Sequence, residues 1–198
     1  MRPNWKKMSS PTDVHGNFLE SSGKLFRYYK SLGEKAIAQL NDEQINARPN
    51  AASNSIALIV HHLSGNMLSR FTDFLTADGE KSWRNREAEF AEGYATKAEM
   101  LAAWEKGWAC LFAALDGLQP ADLSRLIYIR NEGQTVVEAI QRQLAHYSSH
   151  VGQILFQAKA LVGDDFQSLS IARGASDQFN KEKFSQDKSR KHFTDGMK

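Results

Sequence analysis

The chain has 198 residues, which is enough for one domain with a substantial hydrophobic core. Its 41% hydrophobic and 24% charged content is ordinary for a soluble globular protein. A net charge of +2 indicates no preference for nucleic acid as a partner. The longest apolar run, residues 56–60, is far too short to span a bilayer. The single cysteine, Cys110, excludes an intramolecular disulfide, and no apolar leader is visible at the N-terminus, so we expect a cytoplasmic protein.

Four long segments have the periodicity of amphipathic helices. The first runs from about residue 17 to residue 40, and residues 41–45 favour a short extra turn. The second begins near Ser53-Asn54-Ser55, which are three good N-cap residue types. Its apolar stripe continues to Phe74, and Asp78-Gly79 is a typical helix stop. We therefore predict that the second helix reaches that stop.

The second half of the chain begins with an irregular, charged connection over residues 79–95, and loops of this length are often functional. The third helix opens with a capping box, Thr96-Lys-Ala-Glu99. Residues 125–133 combine β-branched and aromatic residues with a glycine turn, which predicts a small hairpin. The fourth helix opens with a second capping box, Thr135-Val-Val-Glu138, and ends at Gly163.

These elements predict an all-α domain over residues 17–163, between a polar N-terminal segment, residues 1–16, and a polar tail, residues 164–198. From Arg173 onward the tail holds seven Lys or Arg and four Asp or Glu, and we expect it to be loosely attached or partly disordered. Short loops would give an up-down-up-down bundle. The long second connection can instead run back along the bundle, which would make helices two and three parallel.

The fourth helix carries His146 and His150, which lie one turn apart on the same face and can together bind one divalent metal ion. Both fall at the edge of the apolar stripe, where a ligand can face the interior between two helices. Tyr147 follows His146, so the general-base glutamate of a His-Glu-x-x-His metalloprotease motif is missing. The alternative interpretation is a pair of half-buried histidines with a packing role.

The second helix carries a further pair, His61-His62. The two residues fall on opposite shoulders of the apolar stripe, and periodicity does not decide which one faces the fourth helix. Three neutral imidazoles plus water form a recognised catalytic zinc arrangement. His15 and His192 lie in terminal polar stretches, and we expect them to be uninvolved.

Three further features have two interpretations each. The cluster Trp83-Arg-Asn-Arg86 can bind an anion if the connection crosses the mouth of a metal site, but we favour surface pairing of its arginines with Glu87 and Glu89. Gln143 can orient an imidazole through a hydrogen bond, and Tyr147 lies beside a candidate ligand. Packing is the favoured interpretation for both, so no catalytic general base is identified.

Two strings in the chain resemble the DinB-like superfamily. They are Asn54-Ser-Ile-Ala-Leu-Ile-Val-His-His-Leu-Ser-Gly-Asn66 and His146-Tyr-Ser-Ser-His-Val-Gly-Gln-Ile154. The connection 78–90 and the tail string Leu169-Ser-Ile-Ala-Arg-Gly-Ala-Ser176 resemble an uncharacterised branch of that superfamily, related to thiol S-transferases. The resemblance covers residues 17–180, and the order, the spacing and the Gly-Gln after the last histidine all agree.

The resemblance implies an up-down-down-up four-helix bundle with a long crossover between helices two and three and a small hairpin before helix four. It also implies a divalent metal, zinc or nickel, held by His62, His146 and His150. His62 fits the ligand position because an apolar and a small residue, Leu63-Ser64, follow it directly. Similar members include S-transferases that use low-molecular-weight thiols, and relatives with no known activity. The implied function is a metal-dependent small-molecule transferase of the thiol S-transferase type or a hydrolase, in a homodimer.

Two other functions remain open from the sequence. A bundle that binds a metal or ligand without turnover would have a saturated site, closed by a fourth protein ligand. A nucleic-acid-associated protein acting through the basic tail would lose a salt-sensitive affinity for DNA when residues 173–198 are removed.

Overall fold

The computed structural model describes residues 13–91 and 93–196. Over these residues the chain forms six α-helices and one two-stranded sheet, which confirms a mostly helical fold. The long helices are α1 (Val14–Ala38), α3 (Ile56–Phe71), α4 (Lys97–Asp116) and α5 (Val136–Val162), and the short ones are α2 (Asp42–Asn46) and α6 (Ser176–Phe184). Short 3-10 turns lie at Ala88–Phe90, Pro120–Ser124 and Gly163–Asp165.

The helices that carry the histidine pairs begin at side chains that cap their first backbone N–H groups. The Ser55 hydroxyl accepts a hydrogen bond from the Leu58 N–H at the start of α3. At the start of α5, Thr135 and Glu138 form the predicted capping box, and the predicted box at the start of α4 forms as well. These caps fix where each helix begins, and the apolar residues that follow fix which face of α3 and of α5 packs into the core.

The four long helices pack around one core, in which α3 contacts α4 and α5, and α1 contacts α5 and α4. Four fully buried aromatic side chains join the helices at its centre. The Trp108 ring centroid lies 6.3 Å from that of Phe26, 5.4 Å from that of Trp104 and 5.9 Å from that of Tyr147. No helix within residues 13–91 and 93–196 combines the length and apolar content needed to cross a bilayer.

The predicted end of the second helix is wrong, because α3 stops at Phe71 rather than at Asp78-Gly79. Thr72 leaves the helical region of backbone conformation, and Asp73 has a positive φ of 50°. Phe74 remains buried although it lies outside the helix. The apolar periodicity therefore extends past the end of the helix, because residues after Phe71 still pack into the core.

The predicted hairpin forms from β1 (Leu126–Ile129) and β2 (Glu132–Thr135), which pair in antiparallel fashion. Its two loop residues, Arg130 and Asn131, both have positive φ, at 55° and 63°, as a type I′ turn requires. The Asp78 carboxylate accepts hydrogen bonds from both of their N–H groups, each at 2.9 Å. These bonds, that of Asn131 above all, lower the pKa of Asp78 and tie the hairpin to the start of the long connection.

The tail contains α6, and its end contacts α1. The ring of His192 shares a hydrogen bond of 3.2 Å with the Ser21 hydroxyl, and the Phe193 ring lies 5.3 Å from that of Tyr28. Residues 1–12 of the predicted N-terminal segment and residues 197–198 of the tail lie outside the described residues.

Candidate functional site

Three imidazoles meet between α3 and α5. The Nε2 atom of His146 lies 3.3 Å from Nε2 of His62 and 3.1 Å from Nε2 of His150. Across the set, one ring nitrogen from each histidine lies within 4.8 Å of the others. Zinc–nitrogen bonds of about 2.0–2.1 Å place neighbouring tetrahedral ligands about 3.3–3.4 Å apart. The two distances from His146 are therefore close to those of a single-ion site.

The outer nitrogen atoms of the two flanking rings are each held by an oxygen atom. Nδ1 of His62 lies 2.9 Å from Oε2 of Glu89, and Nδ1 of His150 lies 2.9 Å from Oε1 of Gln153. Because these oxygens accept, both Nδ1 atoms donate, which leaves a lone pair on each Nε2 facing His146. One proton on His146 can satisfy only one of those lone pairs, whereas a cation satisfies all three rings.

The site favours neutral histidines, which are the form that binds metal. Burial above all, together with the neighbouring His150 and His62, lowers the pKa of His146 to about 3. Burial also lowers the pKa of His150, against the opposing effect of its hydrogen bond to Gln153. At neutral pH both rings are therefore uncharged and available as ligands.

A buried ion pair supports the His62 ring from behind. The Glu89 carboxylate accepts hydrogen bonds from Nε and Nη2 of Arg84, at 2.8 and 2.9 Å, as well as from His62. The Arg84 and Glu89 side chains are only 2% and 4% exposed. Burial raises the pKa of Glu89, but the hydrogen bonds from His62 and Arg84 outweigh it and hold that pKa below its usual value. An ionised carboxylate behind a histidine is a common support in metal sites.

A cavity of about 300 Å³ opens beside the histidines. Its lining includes His62 and His146, together with Asn66 and Gln143. Five arginines complete the lining: Arg70, Arg84, Arg86, Arg130 and Arg142. The cavity has the size of a small-molecule site and reaches two of the three imidazoles directly.

Residues 13–175 match the model of a family described as a protein of unknown function, DUF1572. The chain belongs to the DUF1572 family. No curated protein and no solved structure gives a significant match. The matched region of this DUF1572 protein includes the four long helices, the three clustered histidines and all of the cavity lining.

Of the two histidines on α3, His62 joins His146 and His150, while His61 lies beside Tyr94 with ring centroids 5.4 Å apart. The structure therefore groups His62, and not His61, with the two histidines of α5. The terminal histidines do not contribute to the group. The ring stacked on His62 is that of Phe90, at a centroid distance of 4.8 Å.

The predicted surface pairing in the long connection of the DUF1572 protein is only half right. Arg86 and Glu87 form an exposed pair at 3.5 Å, as expected. Arg84 and Glu89 also pair, but they do so in the interior, against His62. Glu89 was therefore missed as a residue of the site. The signal that could have pointed to it is Gly65, three residues after His62 on α3. Because Gly65 has no side chain, the Glu89 carboxylate can lie against the helix at that point.

Among the described residues, neither Gln143 nor Tyr147 forms a hydrogen bond with an imidazole. Gln143 is buried, and its Oε1 atom has no hydrogen-bond partner among the described residues. Tyr147 is fully buried and donates a hydrogen bond of 2.9 Å to Oδ1 of Asn66. Burial raises the pKa of Tyr147, so its hydroxyl stays protonated and cannot serve as a base near neutral pH.

Gly65→Ala is expected to lower the free energy of unfolding by about 1–3 kcal/mol, because a side chain there overpacks the ion pair. A Cβ atom at this position would lie 2.8 Å from the Glu89 carboxyl carbon, which Arg84 and His62 hold in place. The matched control is Gly152→Ala on α5, where a Cβ meets nothing within 4 Å. That change should be neutral or stabilising by up to about 1 kcal/mol. Urea unfolding of both variants measures the difference, and equal effects would contradict the packing role of Gly65.

Proposed function

We propose that this DUF1572 protein is a DinB-like, metal-dependent enzyme that transfers a low-molecular-weight thiol to a small electrophilic substrate. The proposed ligands of the ion, zinc or nickel, are His62, His146 and His150. The observation that carries the proposal is the convergence of three Nε2 atoms beside a cavity of small-molecule size. Three protein ligands leave a coordination position for a substrate.

An up-down-down-up arrangement of the four long helices forms part of the same proposal. It is supported by the 25-residue connection between Phe71 and Lys97, which is long enough to return along the length of the bundle. It is also supported by the packing of α3 against α4 and of α1 against α5.

The metal would supply the means to ionise a thiol or a water molecule near neutral pH. The residues of this chain do the remaining work. Glu89 and Gln153 fix the orientation of the His62 and His150 rings through their Nδ1 atoms. Phe90 covers one face of His62 and limits the approach of water from that side.

The polar groups of the cavity favour thiol transfer over hydrolysis. No Asp or Glu is among its described lining residues, and the neighbouring Glu80 and Glu89 are engaged by arginines. A hydrolase that relies on a carboxylate general base therefore lacks that group here. A thiol that has already lost its proton needs no general base. Its sulfur forms the bond to an electrophilic carbon while the leaving group departs with the electron pair.

The proposal is tested by loading the purified protein with zinc or nickel and assaying two reactions. Cysteine and coenzyme A serve as thiol donors to monochlorobimane, and p-nitrophenyl acetate reports hydrolysis. Thiol transfer that requires the metal and disappears with a chelator is the expected result. Metal-dependent ester cleavage without thiol transfer would establish the hydrolase instead. A bound metal with neither reaction would favour a binding protein without turnover.

A homodimer and a small-molecule substrate belong to the proposal, and sedimentation of the purified protein tests the first. The nucleic-acid alternative depends on the tail alone. It predicts that deletion of residues 173–198 abolishes DNA binding at low salt, and it fails if the full chain shows no such binding.

A further inference from the structure

We propose that the arginines of the cavity bind an oxyanion group, a carboxylate or a phosphate, and that the substrate is therefore a small anionic molecule. The proposal rests on the proposed function only for the claim that the bound anion is a substrate. Anion binding itself depends on the arginines and does not need the metal.

Two of the five arginines form a buried floor. The side chains of Arg70 and Arg84 are 8% and 2% exposed. Arg70 donates to the Gly79 carbonyl oxygen and to Glu80, but its buried Nε atom has no partner among the described residues. Burying a guanidinium is costly unless each N–H group is satisfied. Both guanidinium groups belong to the cavity lining and contribute positive potential there.

The other three arginines form an exposed rim. The side chain of Arg86 is 50% exposed and that of Arg130 is 60% exposed, and each has one carboxylate partner. Arg142, on α5, is exposed and makes no hydrogen bond or ion pair within the described part of the chain. Its guanidinium is therefore free to bind a ligand that enters the cavity.

The charges around the cavity do not balance. The ion pairs of the five arginines involve only three carboxylates, those of Glu80, Glu87 and Glu89, which leaves two positive charges uncompensated. Guanidinium groups bind carboxylates and phosphates through paired hydrogen bonds of matching geometry. An excess of them around one cavity points to an anionic occupant rather than to a neutral one.

The amide of Gln143 is a further polar group of the cavity lining. Oε1 of Gln143 is a buried acceptor without a partner among the described residues, and it belongs to the same lining as Arg70. Asn66, His62 and His146 complete that lining. A molecule with its anionic end at the arginines would place its remaining atoms beside the imidazoles.

The test uses the full chain after chelator treatment, titrated calorimetrically with inorganic phosphate and with succinate at constant ionic strength. Saturable binding to the metal-free protein is expected. Arg142→Gln should weaken anion binding about tenfold or more, as the loss of a charge-assisted hydrogen bond does. The anion affinity of Arg142→Lys should lie between those of Arg142→Gln and the wild type. The matched control is Arg48→Gln, an exposed arginine outside the cavity lining, which should bind as the wild type does.

The outcomes separate this proposal from the metal site. Tighter binding of succinate identifies carboxylates as the ligand, and tighter binding of phosphate identifies phosphates. Binding that appears only after metal loading would place the anion on the ion and overturn the arginine site, while the proposed function would stand. Anion binding by a protein that takes up no metal would support the arginine site and contradict the proposed function. Equal losses in Arg142→Gln and Arg48→Gln, or no saturable binding, would overturn the proposal.

Discussion

His146→Ala is expected to reduce bound zinc or nickel from about one ion per chain to less than about a tenth of an ion. The Nε2 atom of His146 is the central one, with His62 and His150 at 3.3 and 3.1 Å on either side. Removing even a residue that only supports a ligand costs about 10–100-fold in metal affinity, so the loss of a ligand should exceed about a hundredfold. Elemental analysis after dialysis against trace metal measures the change.

His61→Ala is the matched control, because His61 neighbours His62 on the same helix but lies beside Tyr94. It should keep its metal, while His62→Ala should lose it. The reverse pattern would show that the α3 ligand is wrongly assigned. Full metal content in His146→Ala would contradict the metal site and favour a packing role for the three histidines.

The helices could be predicted from the sequence because their signals are local. The capping boxes at Thr96 and Thr135 fix two helix starts to the residue, and a spacing of four between His146 and His150 fixes their common face. The end of α3 could not be predicted in the same way. Phe74 continues the apolar periodicity by packing into the core from outside the helix, and periodicity records burial rather than backbone conformation.

The support of the site was harder to predict than its histidines. Arg84 and Glu89 belong to a charged run, and such a run usually lies on the surface. Their burial depends on mutual neutralisation, on the His62 ring and on the space left by Gly65, which no single stretch of sequence contains. The arginine cavity could not be predicted from the sequence for a related reason, since its lining residues come from α3, the connection, the hairpin and α5.

Glu89→Ala is expected to lower the free energy of unfolding by up to about 3–5 kcal/mol, because it leaves the buried guanidinium of Arg84 with only the more distant Glu80, at 3.8 Å. It should also weaken metal binding by about 10–100-fold, since Nδ1 of His62 loses the acceptor that fixes its tautomer and orientation. Glu87→Ala is the matched control. Its side chain is 89% exposed, and its removal should change stability by no more than about 0.5 kcal/mol.

A double variant separates the two roles of Glu89. In Arg84→Met combined with Glu89→Ala no unpaired charge remains, so most of the lost stability should return, because apolar side chains can replace a buried ion pair. The metal affinity should stay low, since His62 still lacks its acceptor. Urea unfolding and metal titration of the single and double variants measure both quantities. If stability and metal affinity return together, the carboxylate only neutralises Arg84, and the orientation of His62 is set by its packing against Phe90 instead.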